Sequence, residues 1–484
     1  FRYLFAEKYG DRNWWAAMPW TTYLKTLGAL DTACRRTGVK LVLHLTANLG
    51  LFPDLEREFS GMTMRELSDP GKEIDWPNYF GRPLCPNNPE FRKKYLARLE
   101  ELFRAAPDLS GLMIDEVSFG PAYTGCGCSY CVAKFRERYG IQPPDPKDPK
   151  VWKNFTSPQW RDWIRFRCDS SREHVKSMTE IVQKAGKERI FTSCNYNPAS
   201  AHVPTLHGID LLMISGNLSF YEYEPFHPWS WRQGIAEGKF LTSDGRPMLV
   251  QGYSGSLSQA YFQLMLSAVM NWGNSQWTEF TGYQIVPVNW FHFWRPLSYE
   301  LKPIAGTALV VSAADNMVSD YNQKNGNVPM EYFGWAEALT EAHIPFTVIR
   351  TDAIADFSKY KLLIVPNTMC WSDAELAGLQ QYLAQGGRVI ATGASFSLTP
   401  DGAERPLPKW TGKIKLESML HGEKYYMPKV GGGWYGNGAA WYDDRDPQAK
   451  ARMLDLFSQC HAPELTTNLP PEVVVDASEQ HYRQ

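Results

Sequence analysis

The sequence predicts an α/β protein in which a (β/α)8 TIM barrel over residues 1–300 is followed by a flavodoxin-like α/β domain. Three observations favour this fold. Short apolar strands alternate with amphipathic helices, which is the pattern of parallel βα units. Polar residues follow several of these strands, and a barrel builds its active site where its strands end. A second series of strands and helices begins near residue 307.

The first series supplies the eight strands that a barrel needs. One strand is expected at or before Phe1 and a short one near residues 83–85, and charged helices over 91–105 and 160–185 separate several of the rest. The remaining predicted strands are 40–45, 112–117, 189–194, 209–215, 247–251 and 275–280. This region has no G-x-G-x-x-G and no G-x-x-x-x-G-K-[ST] phosphate loop, which disfavours an open doubly wound sheet.

The second series is predicted to form a domain over residues 301–460 that serves in assembly. Its helix over 373–385 ends at a Gly-Gly pair, a common helix stop. Its parallel strands are predicted at 308–312, 346–349, 361–365 and 388–391. Cys370 lacks the flanking glycines of a nucleophile elbow, which disfavours amidotransferase chemistry. Residues 461–484 resemble the start of a truncated C-terminal β module.

Composition excludes some classes of partner. The 50 basic and 52 acidic side chains leave a net charge of −2 without long blocks of like charge. We therefore expect neither a nucleic acid nor a membrane as a partner. The sequence contains no run of about 18 apolar residues, so no membrane span is predicted. The 18 Trp, 24 Tyr and 24 Phe can stack on sugar rings or fill an aromatic core, so they only favour a carbohydrate substrate.

Three cysteines form a C-x-C-x-x-C run at Cys126, Cys128 and Cys131. They cannot all pair with one another as disulfides, but they can bind one cation. Cys85 precedes the helix that leads to the next core strand and is the candidate fourth ligand of a structural Zn²⁺. An iron–sulfur cluster or a redox disulfide is the alternative. A closed four-cysteine site leaves no position for substrate, so the metal would hold a loop rather than act in catalysis.

Two carboxylates, Asp115 and Glu116, end a core strand just before the cysteine run. Glycoside hydrolysis needs a proton donor and a second group that attacks or activates water. Glu116 is predicted to be the acid/base, and Asp115 to orient it or bind a sugar hydroxyl. Glu279 is predicted to be the partner carboxylate, with Glu222 and Glu224 in the loop 221–225 as alternatives. A strand-end or surface salt bridge is the structural alternative for these carboxylates.

Several other strand-end residues are candidates for substrate binding. Each of them has an ordinary structural role as its alternative, such as a core histidine or a buried tryptophan. The predicted set is His44, Asn48, Asn195, Gln251 and Trp277.

These motifs together resemble glycoside hydrolase family 42. The resemblance lies in the lone Cys85 of C-P-N-N-P-E-F-R, the strand end 114–116 and the cysteine run 126–131, and it extends over about 400 residues. Those β-galactosidases have a zinc site of this spacing, an Asn-Glu pair ending strand four, and an amidotransferase-type trimerisation domain. The resemblance implies Glu116 as acid/base, zinc on the four cysteines, and a homo-oligomer, either a trimer or a dimer.

Two departures from the family matter. Asp115 stands where the family has Asn, and residues 248–254 carry no carboxylate where the family has its nucleophile. The chain is also similar to α-fucosidase-like barrels, and under that analogy Asp115 would be the nucleophile. The prediction is a glycoside hydrolase acting on a terminal sugar, with a β-galactoside as one candidate. The alternatives are a fucoside-, glucuronide- or sialoside-type substrate with non-standard or inverting machinery, or a non-catalytic carbohydrate-binding barrel.

Localisation follows from the cysteines. Reduced zinc thiolates favour a cytoplasmic protein. We expect the N-terminus to be absent from this sequence, which leaves secretion as the alternative.

Overall fold

The structure is a computed structural model. It divides into two compact units, Phe1–Tyr196 with His202–Glu222, and Asn197–Ala201 with Tyr223–Gln484. The residues that the structure describes are 3–7, 19–46, 53–74, 83–115, 117, 119, 125–194, 207–223, 231–252, 264–267, 270, 272–276, 302–318, 328–409, 415–417, 447–463, 465, 467–470 and 478–479.

A four-stranded parallel sheet forms the centre of the first unit, as the βα pattern predicts. Its strands, in spatial order, are β1 (Tyr3–Glu7), β2 (Lys40–Thr46), β3 (Gly111–Asp115) and β4 (Ile190–Cys194). The register pairs Thr46 with Asp115 and Asp115 with Cys194, so β2, β3 and β4 end at one level. That common edge is where a parallel α/β fold places its site.

Helices of the first unit begin and end at residues suited to those positions. The Asn88 side chain accepts hydrogen bonds from the Glu90 and Phe91 amides and Pro89 occupies the first turn, so α3 begins there. Gly38 at φ 68° ends α1. The helices are α1 (Trp20–Thr37), α2 (Pro53–Glu58), α3 (Pro89–Ala105), α4 (Ser129–Tyr139), α5 (Pro158–Ala185) and α6 (Leu211–Ile214), followed by a 3-10 turn at Ser215–Asn217.

Two of the predicted barrel strands are wrong. The segment 209–215 is helical, because the Asp210 carboxylate accepts from the Leu212 and Met213 amides and caps a helical turn. Near residues 83–85, Leu84 forms an isolated antiparallel bridge with Thr63 rather than a barrel strand. Local capping and a long-range bridge outweighed the apolar character of these segments.

A three-stranded sheet comes next along the chain, in the order β5 (Tyr221–Tyr223), β6 (Met248–Gly252) and β7 (Gly273–Gln276). Helix α7 (Trp231–Leu241) and a 3-10 turn (Thr242–Asp244) lie between β5 and β6 in the chain. An added Cβ at Gly238 in α7 would lie 2.3 Å from the Trp272 ring, so a glycine is needed for this close packing. Strand β6 agrees with the predicted strand 247–251. Strand β7 overlaps the predicted strand 275–280 at residues 275–276, and residues 277–280 lie outside the described ranges.

The predicted flavodoxin-like domain is present as a five-stranded parallel sheet. Its strands are β9 (Thr307–Val311), β10 (Phe346–Arg350), β11 (Leu362–Pro366), β12 (Arg388–Thr392) and β13 (Lys415–Glu417). In space they follow the order β10-β9-β11-β12-β13, which, numbered from β9, is the order 2-1-3-4-5 of flavodoxin-like folds. Strands β9 to β12 are mostly buried, as expected for a parallel sheet covered on both faces.

The helices of this part are α8 (Val328–Glu341), α9 (Asp373–Ala384) and α10 (Pro447–Cys460), with 3-10 turns at Ala313–Met317 and Ile354–Lys359. A capping box between Ser372 and Glu375 begins α9, and Gly386 at φ 90° follows its end, as predicted. A short antiparallel pair joins β8 (Lys302–Pro303) to β14 (Ser478–Glu479). In the described part of the chain, no helix has the length and apolar character needed to cross a bilayer.

Candidate functional site

The four predicted cysteines come together in the first unit. The Sγ atoms of Cys85, Cys126, Cys128 and Cys131 all lie within 4.8 Å of one another. Cys85 Sγ is 3.4 Å from Cys131 Sγ and 3.6 Å from Cys128 Sγ. These distances are far longer than the roughly 2.05 Å of a disulfide. All four are free thiols, and all but Cys128 are buried.

A short antiparallel ribbon positions the two cysteine segments. The Cys85 amide donates to Met62 O at 3.0 Å, and the Gly127 amide donates to Arg65 O at 2.9 Å. The Arg65 amide in turn donates to Cys126 Sγ at 3.4 Å. The backbone of residues 62–74 therefore binds both the Cys85 segment and the cysteine run, which are about 40 residues apart in the sequence.

Glycine is required at Gly127 by packing. An added Cβ there would lie 2.6 Å from Glu66 O and 2.7 Å from Leu67 Cα. Both contacts are to backbone atoms, which cannot rotate away as a side chain would. Glycine between the two thiols thus lets the cysteine run lie directly on the ribbon.

The start of α4 favours negative charge at the cluster. Cys128 is the N-cap residue and Cys131 lies in the first turn, where the helix dipole stabilises thiolates. Asn87 Nδ2 donates to Cys131 Sγ at 3.4 Å, and Lys134 Nζ donates to Asn87 Oδ1 at 2.8 Å. Lys134 also pairs with Glu173 at 2.6 Å, so Asn87 is itself held in place.

Three thiols of the cluster have pKa values that are shifted in different directions. Hydrogen bonds from Cys126, Cys131 and Cys85 lower the pKa of Cys128. Hydrogen bonding with Cys126 and Cys128 raises the pKa of Cys85, and burial raises that of Cys131. Four thiolates cannot share one buried pocket without a compensating cation.

The cluster can hold a metal ion. Four thiolates at about 2.3 Å from a tetrahedral metal would lie about 3.8 Å apart. The observed separations of 3.4 and 3.6 Å are close to that value and need only a small adjustment. The donor set is all sulfur and closed, which fits a soft or borderline cation in a structural role.

Two further residues of the predicted site lie in described strands. Asp115 is the last residue of β3 in the first unit, and Gln251 lies in β6 of the second unit. His44 lies in β2 in register with Met113, and its side chain is buried. The predicted site residues that lie outside the described ranges are Glu116, Glu279, Asn48, Asn195 and Trp277.

Comparison with known proteins agrees with this architecture. Residues 305–406 match the family described as "Beta-galactosidase trimerisation domain". The β-galactosidase of Bacillus circulans sp. alkalophilus superposes with a TM-score of 0.63 at 14% identity, over 80% of this chain and 67% of that one. No curated protein sequence gives a significant match.

Two further structures are similar. The family 42 β-galactosidase Gan42B of G. stearothermophilus gives a TM-score of 0.62 at 14% identity, over 78% of this chain and 65% of its own. The α-L-fucosidase isoenzyme 2 of Paenibacillus thiaminolyticus gives a TM-score of 0.57 at 15% identity, over 81% of this chain and 64% of that one. The chain has the fold of the family 42 β-galactosidases. The predicted resemblance to that family is thereby confirmed, and so is the parallel α/β class.

One buried carboxylate of the family 42-like fold lies where the sequence predicted a loop. Glu222 is the middle residue of β5, and only 2% of it is exposed. The Tyr-Glu-Tyr alternation of residues 221–223, with period two, indicates a strand. The following segment, which includes Glu224, lies outside the described ranges.

The flavodoxin-like domain has two buried carboxyls, Asp315 in the 3-10 turn after β9 and Glu331 in α8. The Asp315 carboxylate accepts from the Met369 amide at 3.2 Å and from the Cys370 amide at 2.7 Å. Burial raises the pKa of Asp315 to about 7 and that of Glu331, which accepts from Thr392, to about 7 as well. Asp315 is thus held by backbone amides, and Glu331 by a side-chain hydroxyl.

A cavity of about 470 Å³ lies near the opposite ends of two strands in the same domain. Lys361 precedes β11 and Arg388 begins β12, and both residues line it with Tyr382 and His461. Ligands of open α/β sheets bind at the carboxyl ends of the strands. This cavity therefore does not belong to the site at the strand ends.

Proposed function

We propose that the protein is a glycoside hydrolase that cleaves a terminal sugar, with β-galactosides as the first substrate class to test. The observation that carries the proposal is Asp115, which ends β3 level with Thr46 and Cys194, just ahead of the four-cysteine cluster. The fold shared with β-galactosidases adds support. The chain spans only 65% of the length of Gan42B, so activity and substrate are inferences.

Glu116 is the proposed acid/base, and Asp115 orients it or binds a sugar hydroxyl. Glu116 protonates the leaving glycosidic oxygen while a second carboxylate attacks the anomeric carbon or activates water. Glu279, which follows β7 in the sequence, is the candidate for that second role on sequence grounds. Substrate contacts are proposed for His44, Asn48, Asn195, Gln251 and Trp277.

A fucosidase is the second candidate. The structural similarity to an α-L-fucosidase favours it, because Asp115 ends β3 and could serve as the nucleophile under that analogy. The Asp115→Asn variant separates the two. If Asp115 is the nucleophile, its replacement by Asn abolishes turnover. If Asp115 only orients Glu116, the same replacement lowers turnover partially.

The test is hydrolysis of aryl α- and β-galactosides, fucosides, glucosides, mannosides, glucuronides and sialosides by wild type and Glu116→Gln. We expect one sugar to be turned over and the variant to lose about 10²–10⁴-fold in kcat on a natural disaccharide, the usual contribution of general acid catalysis. Glu137→Gln, on the exposed face of α4, is the matched control and retains full activity.

Three outcomes would contradict parts of this proposal. Unchanged turnover by Glu116→Gln on the natural disaccharide removes Glu116 from catalysis. Loss of activity in Glu137→Gln shows that the assay reports folding. If wild type hydrolyses no glycoside but binds sugar in calorimetry, the protein is a carbohydrate-binding barrel.

The ion proposed for the cysteine cluster is a structural Zn²⁺ held by Cys85, Cys126, Cys128 and Cys131. Four closely spaced thiols and a closed ligand set suit zinc. The metal would supply no catalytic chemistry and would fix the loop that follows Glu116. Elemental analysis of the purified protein tests this assignment, with one zinc and no iron per chain as the expected result.

Assembly is proposed to use the domain at residues 305–406, whose family is named for trimerisation. A homotrimer is the expected state and a dimer the alternative, which light scattering after size-exclusion chromatography distinguishes. We propose a cytoplasmic location because four reduced thiols persist best in a reducing compartment.

A further inference from the structure

We infer that Asn87 is a positioning residue of the proposed metal site, and that its side-chain amide holds Cys131 as a metal-binding thiolate and slows release of the ion. This inference rests on the zinc site proposed above and extends it beyond the four ligands. It starts from the pair of asparagines that follows Cys85 and Pro86. The Asn88 side chain caps helix α3, whereas the Asn87 side chain faces the cluster.

The partners of the Asn87 amide fix which of its ends is oxygen and which is nitrogen. Lys134 Nζ lies 2.8 Å from one end, and an ammonium group can only donate, so that end is Oδ1. Nδ2 then donates to Cys131 Sγ at 3.4 Å and to Ser170 Oγ at 3.0 Å. Ser170 Oγ gives its own proton to Phe166 O at 2.8 Å, so it accepts from Asn87. Both amide protons are therefore used, and the Cys131 sulfur accepts one of them.

A sulfur that accepts a hydrogen bond is what a metal-bound cysteine provides. A thiol is a weak acceptor, whereas a thiolate carries a full negative charge and accepts a charge-assisted bond. Lys134 strengthens this bond, because its positive charge polarises the amide from the Oδ1 side and makes Nδ2–H a better donor. Lys134 is held by Glu173 at 2.6 Å. The arrangement therefore stabilises negative charge on the buried Cys131 sulfur without a cation inside the pocket.

The cluster needs such donors because a divalent ion on four thiolates leaves a net negative charge, and three of the four cysteines are buried. Within the described part of the chain, two groups outside the cluster donate to its sulfurs. They are the Arg65 backbone amide, to Cys126, and the Asn87 side chain, to Cys131. A side-chain substitution leaves the first donor in place and can remove the second. Asn87 is thus the donor whose contribution can be measured.

A purely structural role for Asn87 is the alternative, since it joins the segment before α3 to α4 through Lys134 and to α5 through Ser170. Two substitutions separate these roles. In Asn87→Asp, one carboxylate oxygen still accepts from Lys134, but the other replaces Nδ2, cannot donate, and places negative charge beside the thiolate. In Asn87→Ala, both contacts are lost. A structural tie is therefore rescued by Asp, whereas the bond to sulfur is not.

The first experiment measures how fast the zinc-loaded full chain loses its ion to an excess of a chromogenic chelator. Asn87→Asp should release zinc about 10–100-fold faster than wild type, and at least as fast as Asn87→Ala. The matched control is Asn154→Asp, because Asn154 is also half-buried but its amide donates to Lys150 O at 2.8 Å and not to the cluster. Its release rate should stay within about twofold of wild type.

The second experiment reads the sulfur directly in the cobalt-substituted chain. The thiolate-to-metal charge-transfer band depends on the energy of the sulfur lone pairs, which a hydrogen bond lowers. Loss of the Nδ2 donor should therefore move this band to longer wavelength in Asn87→Asp and leave it unchanged in Asn154→Asp. A residue that only ties helices together would not move the band.

Three results overturn the inference while the zinc proposal stands. They are wild-type zinc release by Asn87→Asp, a cobalt band that does not move in that variant, and a crystal structure of zinc-loaded wild type in which the Asn87 amide lies out of hydrogen-bond reach of Cys131. The last needs no variant and does not depend on how the variants fold. If wild type contains no metal and takes up neither zinc nor cobalt, the proposed zinc site fails and the role of Asn87 fails with it.

Discussion

The cysteine cluster and the two buried carboxyls of the flavodoxin-like domain are both buried groups of titratable side chains, but their hydrogen-bond partners differ. In the flavodoxin-like domain, two backbone amides donate to Asp315 and the Thr392 hydroxyl donates to Glu331. At the cluster, thiols mainly face other thiols, at 3.4–3.6 Å, and among the described residues one backbone amide and one Asn side chain donate to them from outside.

This difference shows how to tell a ligand site from an internal network. Buried acids that receive protein donors can remain protonated and need nothing from solution. Four adjacent thiols have no good partners in one another, since a thiol is a weak donor and a weak acceptor. The cluster therefore gains most from a cation, and the two carboxyls of the flavodoxin-like domain gain little.

The largest expected effect is that of metal removal on the first unit. Cys131→Ser, or exhaustive chelation of wild type, should lower the unfolding free energy by about 5 kcal/mol and the melting temperature by roughly 10 °C or more. The physical reason is that the metal links the Cys85 segment to the run that begins α4. Calorimetry with zinc analysis measures both changes.

Cys460→Ser is the control for this comparison, because Cys460 is a free cysteine at the end of α10 and lies outside the cluster. It should keep the full zinc content and the wild-type melting temperature. A protein purified without metal that melts identically before and after chelation would contradict a structural metal.

A smaller effect is expected from Gly127→Ala. The added methyl would lie 2.6 Å from Glu66 O and must push the cysteine run off its ribbon, at a cost of about 3 kcal/mol. Zinc affinity should fall by about 10–100-fold as the thiols lose alignment, which competition with a chromogenic chelator measures. Gly216→Ala is the control, because an added Cβ there meets no atom within 4 Å. Equal zinc affinity in both variants would show that the ribbon does not position the thiols.

The features that could be predicted from the sequence are those that depend on local patterns. The cysteine set, the parallel strands and the flavodoxin-like order depend on short-range patterns, and a spacing of two or three residues limits where Cys126, Cys128 and Cys131 can lie. The ribbon that supports them depends on hydrogen bonds between distant segments, such as Gly127 to Arg65, which no local pattern encodes.

The errors have local and specific causes. A short buried apolar run is compatible with either a strand or a helical turn. At residues 211–214 the Asp210 cap stabilises the helical turn. Glu222 lies in strand β5 and not in the predicted loop 221–225. A strand of three residues gives only a weak sequence pattern, although the tyrosines on either side of Glu222 alternate as a strand requires. Glu116 and Glu279 stay predictions, since neither is among the residues that the structure describes.

The smallest expected effect is that of pH on the stability of the flavodoxin-like domain. Burial raises the pKa of Asp315 from 3.8, and that of Glu331 from 4.5, to about 7 in the folded state. A raised acid pKa means that the folded state binds the proton more tightly. The stabilisation is complete below the unfolded pKa and is lost as pH rises to about 7. Between pH 5.5 and 8, each carboxyl should cost at most about 2 kcal/mol of stability.

Asp315→Asn and Glu331→Gln should flatten this dependence. Their amide oxygens can still accept from the Cys370 amide and the Thr392 hydroxyl. The melting temperature of each variant is compared with wild type at every pH, so titration elsewhere in the chain, including the cysteine cluster, cancels in the difference. Asp352→Asn, in an exposed pair with Arg350, is the control and should keep the wild-type slope of melting temperature against pH.

If Asp315→Asn and Glu331→Gln keep that slope as well, both carboxyls are already ionised at pH 5.5. The two carboxyls would then be buried charges, as thiolates in the cysteine cluster would be, and the contrast between the two regions would be lost.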